Sequence, residues 1–137
     1  MKYLAIDYGQ KRVGLAISTS DEKLILPYKT LTYTSRKKLV SDITSIVETE
    51  NIQGIVIGLP IGINGEETLI TRQVKNLVRD LKKKLDVPVD LVDESYSSYN
   101  ADRILKNRGM SAKKIKKVID QQAAVDILNT YFSSKNP

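Results

Sequence analysis

Three places in the 137-residue chain put carboxylates where chemistry could use them. Asp7 ends the apolar run Leu4-Ala5-Ile6-Asp7, directly before the turn-forming stretch Tyr8-Gly9-Gln10-Lys11. A carboxylate there is costly to bury unless it meets a cation or hydrogen-bond donors, so it serves either a cleft at a strand end or the amides of its own turn. Asp93 and Glu94 close the run Pro88-Val89-Asp90-Leu91-Val92. Neighbouring strand residues point to opposite faces, so either one can look into a site; alternatively both stabilise the N-terminus of a following helix. Asp120 stands at a helix start, where Asp is commonly a cap. Yet Asp120, Ala123, Ala124, Ile127, Leu128 and Tyr131 fall at i, i+3, i+4, i+7, i+8 and i+11, so the aspartate shares a core-facing stripe. Asp126 is off that stripe and is expected in solvent.

What such acids could do is narrowed by what the chain lacks. It has no cysteine and no histidine, which excludes disulfides, thiolate or imidazole metal sites, Cys nucleophiles and His bases. Any metal must be held by oxygen. That favours hard ions, Mg²⁺ or Mn²⁺, bound by carboxylates and shared with substrate phosphates. The net charge of +6 points to a polyanionic partner.

The elements that would position these acids follow from hydrophobic pattern and turn chemistry. KYLAID and RVGLAIS read as a hairpin, with a third strand after Pro27, from Lys29 to Tyr33. Ser35 caps a helix over about 36–50, with Leu39, Val40, Ile43, Ile46 and Val47 at helical spacing. GIVIGLP is continuously apolar and β-branched, as in a strand buried on both faces. Beyond the loop Ile61-Gly62-Ile63-Asn64-Gly65 comes a second helix striped by Ile70, Val74, Leu77, Val78, Leu81 and Leu85. PVDLVDE reads as a further strand, followed by helices from Ser98 to Arg108 and over about 119–133. This order, β-β-β-α-β-α-β-α-α, predicts one domain over 1–137: a mixed sheet, antiparallel first and parallel afterwards, with helices on both faces. Gly9 and Gly14 beside the first turn are read as sources of backbone freedom. No run approaches the roughly 20 apolar residues of a membrane span, and a cytoplasmic location is expected.

Four segments, AIDYGQKRVGLAIS, VIGLPIGINGEE, VDESYSS and DQQAAVDILNTY, resemble in order and spacing the YqgF family, also called RuvX. Its members were first described as Holliday junction resolvases and later as nucleases for the 5′ end of pre-16S ribosomal RNA. The resemblance covers nearly the whole chain. It implies a ribonuclease H-like fold with a mixed five-stranded sheet, and Mg²⁺ or Mn²⁺ held by Asp7, Glu94 and Asp120. The family pattern thus chooses Glu94 over Asp93. Three ionised carboxylates within a few ångströms repel one another, and a divalent cation removes that penalty. Two ions about 3.5–4 Å apart would activate a water and stabilise the leaving oxygen of a phosphodiester.

On this reading the partners are pre-rRNA or branched DNA, and ribosome precursors, met by a monomer or homodimer. A non-catalytic nucleic-acid-binding ribosome-assembly factor is the alternative from another class. Lys11 and Arg12 can reach phosphate from the first turn. Arg103, Arg108, Lys113, Lys114, Lys116 and Lys117 form a basic run that leads to Asp120 and is read as a phosphate track rather than a solvated face. Tyr96 and Tyr99 could stack on unpaired bases. One departure stands out: family members commonly carry Arg after the acidic pair, where this chain has Ser95, followed by Ser97 and Ser98. A serine cannot replace a guanidinium, and Arg103 or Arg108 is expected to compensate.

Overall fold

The alternation of apolar residues in the N-terminal hairpin divides the molecule into its layers. The structure is a computed structural model in which residues 1–60, 66–94 and 112–135 are described, with only the backbone of Glu94 and of residues 112–119. β1 (Tyr3–Tyr8) and β2 (Arg12–Ser18) pair antiparallel, and β2 pairs antiparallel with β3 (Ile25–Thr32). β4 (Gly54–Pro60) lies parallel to β1, and β5 (Val89–Glu94) parallel to β4. The sheet has five strands in the order β3-β2-β1-β4-β5, with β1 at its centre. This matches the mixed, antiparallel-then-parallel sheet expected from the sequence.

One face carries Leu4, Ile6, Val13, Leu15, Ile17, Ile55 and Ile57, covered by α1 (Arg36–Thr49) and α2 (Leu69–Lys84). The other carries Tyr3, Ala5, Ala16 and Val56, covered by Ala124, Ile127 and Leu128 of α3 (Ala112–Lys135). Each fully buried Leu or Ile contributes about 1.5–3 kcal/mol, so these two clusters are what fixes strand register. Ser35 caps α1 by accepting from the Lys38 amide at 3.2 Å. Thr68 and Thr71 form a capping box on α2, and the buried Thr71 hydroxyl also donates to the Pro60 carbonyl at 2.7 Å. That bond ties the start of α2 to the end of β4.

Two boundaries differ from the sequence expectation. β3 begins at Ile25, not Lys29, and contains Pro27. Proline is tolerated because β3 is an edge strand, and the register shift between Leu15 and Ala16 takes up one extra residue at Tyr28. α3 begins at Ala112, so Asp120 lies inside a helix and is not its cap. Ala and Lys are good helix formers, and the basic stretch 113–117 extends the helix backwards. The expected helix from Ser98 to Arg108, the loop 61–65, the serines at 95, 97 and 98, Tyr96, Tyr99, Arg103 and Arg108 lie outside the described residues. Among the described residues no helix is long and apolar enough to cross a membrane.

Candidate active site

Asp7 is the fifth residue of β1 and follows Tyr3 and Ala5 in the alternation, on the α3 face, where it is half-buried. Its register partner on β2 is Gly14, and Gly14 in turn pairs with Thr30 of β3. α3 passes directly over this row. A Cβ built on Gly14 would overlap the carbonyl carbon and oxygen of Asp120 and lie 2.8 Å from its Cα. Gln121 Nε2 donates to Thr30 Oγ1 at 3.2 Å on the neighbouring strand. The missing side chain at Gly14 therefore lets the main chain of α3 descend onto the sheet at Asp120, one strand from Asp7. The buried Ala123 and Ala124 continue the close approach.

Asp120 already has a cationic partner. Arg12, the first residue of β2 and two before Gly14, donates from Nε to Asp120 Oδ2 at 2.8 Å. The side chains are 36% and 18% exposed, so the pair sits at the edge of solvent and is worth about 0.2–1 kcal/mol. Arg12, expected from the sequence on substrate phosphate, is thus seen bound to a candidate ligand. Lys11 beside it is exposed.

The choice between Asp93 and Glu94 is addressed by alternation. Asp90 accepts from Tyr131 Oη of α3 at 2.6 Å, and Val92 packs with the α3 cluster. The same alternation reaches Glu94 at the last position of β5, paired with Pro60. Asp93 belongs to the set of Val89 and Leu91 and is exposed. In backbone terms Glu94 lies about two strand spacings, ~10 Å, from Asp7 and about two residues, ~7 Å, further along the strand direction. The side chains of Glu94, Lys113, Lys114, Lys116 and Lys117 lie outside the described part, and among the described residues no three acids form a cluster.

The turn that carries Lys11 and Arg12 is braced from β3. Tyr33 Oη donates to the Gly9 carbonyl at 2.7 Å, and its amide donates to the Lys11 carbonyl at 3.4 Å. Tyr8 Oη donates to Gln73 Oε1 of α2 at 3.2 Å, with its ring 6.0 Å from that of Tyr33. Burial, then the hydrogen bond and charge of Tyr8, push the Tyr33 phenol well above its ordinary range. A Cβ on Gly9 would stand 2.5 Å from the Arg12 carbonyl oxygen, so this glycine is needed for a close turn.

Chemically, Asp7 and Asp120 are hard oxygen donors bordering one glycine. The cation already held at Asp120 fits a site whose carboxylates need positive charge. Gly14 was missed as a positioning residue. Its signal was present: a glycine inside the strand RVGLAIS weakens the strand and marks a close backbone approach.

Comparison with known proteins follows from the whole chain. Residues 1–134 match the family described as "RuvX: Holliday junction resolvase". A Maridesulfovibrio salexigens protein named "Putative pre-16S rRNA nuclease" is 47% identical over 133 residues, covering 97% of this chain and 98% of the relative. One of the same name from Oleidesulfovibrio alaskensis is 42% identical over 133 residues, covering 97% and 92%. Among solved structures, T. thermophilus RuvC in complex with Holliday junction substrate aligns with a TM-score of 0.64 at 12% identity, covering 99% of this chain and 97% of that one. Fowlpox virus resolvase with substrate Holliday junction DNA aligns with a TM-score of 0.61 at 14% identity, covering 100% of both chains. These likenesses establish the ribonuclease H-like fold.

Proposed function

The chain belongs to the RuvX family, and from that premise we propose that it is a divalent-metal-dependent nuclease that processes the 5′ end of pre-16S rRNA. The observation that carries this reading is the row Asp7, Gly14, Asp120, in which a glycine lets the main chain of α3 descend at Asp120 onto the strand beside Asp7. With Glu94 these residues would hold Mg²⁺ or Mn²⁺. When bound, such an ion supplies an activated water and stabilises charge on the leaving oxygen of a phosphodiester. Asp7, between the neighbouring strands β2 and β4, fixes the centre of the site, and Asp120 delivers a second carboxylate from above. The proposed phosphate contacts are Lys11, Arg12, Arg103, Arg108, Lys113, Lys114, Lys116 and Lys117, which suit the net charge of +6.

The names of the relatives support pre-rRNA as substrate and ribosome precursors as the setting. The family description favours a second reading, resolution of branched DNA. We place the activity in the cytoplasm, in one domain spanning 1–137, acting as a monomer or homodimer. Cleavage of a pre-16S rRNA fragment is to be compared with that of a four-way DNA junction in Mn²⁺. Specific trimming of the RNA supports the first reading, and cutting of the junction alone supports the second. Binding of either without cleavage in Mg²⁺ or Mn²⁺ would replace both with an assembly factor that keeps the fold.

A further inference from the structure

Two roles meet on Arg12: substrate phosphate, expected from its place beside the first turn, and Asp120, to which it is bound at 2.8 Å. We propose that Arg12 guards Asp120, holding in the free protein the carboxylate that the divalent ion needs and releasing it to the phosphate of arriving nucleic acid. Metal loading and substrate binding are then coupled through one side chain. This inference rests on the nuclease reading above.

Three features carry it. The pair is charge-assisted but a third exposed on the arginine side, so it is weak enough to exchange. A phosphate is a strong competitor for a guanidinium, because its two non-bridging oxygens can be engaged in bidentate geometry. The backbone around Arg12 is also held in place, by pairing with Thr32 and by the Tyr33 bonds to Gly9 and Lys11. Exchange therefore needs only the side chain to swing, while Asp120 stays over Gly14. By linkage, nucleic acid that removes the guanidinium must strengthen metal binding, and metal must strengthen nucleic-acid binding by the same factor.

The test is a Mn²⁺ titration of the whole chain, followed by electron paramagnetic resonance of the free ion, with and without a phosphorothioate-protected RNA hairpin. Arg12→Gln is compared with wild type, Arg12→Lys and the exposed control Lys83→Gln, with thermal melting to show that each is folded. Removing a unit charge and a competing partner tightens Mn²⁺ binding to Arg12→Gln without RNA by about three- to tenfold. With saturating hairpin that gap closes to within about twofold, because in wild type the guanidinium has already left the carboxylate. Arg12→Lys lies between, and Lys83→Gln matches wild type. If wild type binds Mn²⁺ but Arg12→Gln binds it equally or more weakly without RNA, the guard is overturned and the nuclease reading stands. No Mn²⁺ binding by any variant, with or without hairpin, overturns both.

Discussion

Gly14 of β2 lies so close beneath the main chain of Asp120 in α3 that no methyl group fits between them. Because Gly14 is also the register partner of Asp7, this contact sets the height of one candidate ligand above another. The candidate site is built from the centre of a mixed sheet and a helix more than a hundred residues later in sequence, joined where a side chain is absent.

Gly14→Ala should therefore damage stability and activity together. The obstacle is backbone, which cannot rotate away, so overpacking of about 1–3 kcal/mol is expected, lowering the melting temperature by about 4–12 °C. Cleavage measured well below that temperature should still fall, since Asp120 is lifted from the sheet. A melting temperature within about 2 °C of wild type would show that α3 can shift freely.

Tyr33→Phe removes the bond to the Gly9 carbonyl while keeping the ring. Loss of one such partly buried bond costs about 0.5–1.5 kcal/mol, read as a lower denaturation midpoint at unchanged slope. The turn bearing Lys11 and Arg12 loosens, and nucleic-acid affinity should fall as well.

Thr71→Ala deletes the reciprocal half of the capping box, the bond its hydroxyl accepts from the Thr68 amide, and the tie to Pro60, while Thr68 still caps α2. Each of the two lost bonds contributes about 0.5–1.5 kcal/mol, so urea denaturation should shift by about 1–3 kcal/mol. Thr71→Ser, which keeps the hydroxyl, should recover most of it.

Stability should fall at alkaline pH through two phenols. Tyr33 is raised chiefly by burial, and Tyr131 chiefly by its hydrogen bond to Asp90 and then by burial. The unfolded chain ionises these groups near the ordinary phenol value of about 10, where the native protein still holds the protons. Their stabilisation is complete below that pH and is lost as pH rises above it. Unfolding free energies at pH 9–11.5 should decline less steeply for Tyr33→Phe/Tyr131→Phe than for wild type.

Much of this arrangement was legible along the chain because it is local. Leu4-Ala5-Ile6-Asp7 announced a strand ending in an acid, GIVIGLP a strand buried on both faces, and the Asp120 to Tyr131 stripe a helix laid on the sheet. β3 starts before Pro27, which normally argues against a strand, because an edge position removes the objection. α3 starts earlier than the stripe from Asp120 indicates, because consecutive lysines carry helix propensity as well as charge. The Arg12–Asp120 pair spans 108 positions, and no local pattern encodes such a partner. The Gly14 contact also depends on which helix lands on β2, which register alone does not say.

Asp7 is the proposed anchor of a metal-dependent hydrolytic site. Its most direct test is Asp7→Asn, assayed for cleavage of a pre-16S rRNA fragment in Mg²⁺ and Mn²⁺ alongside RNA binding and thermal melting. Cleavage should disappear, as it also should for wild type in EDTA, while binding and a cooperative melt persist. Cleavage at the wild-type rate by a folded Asp7→Asn protein would contradict that role.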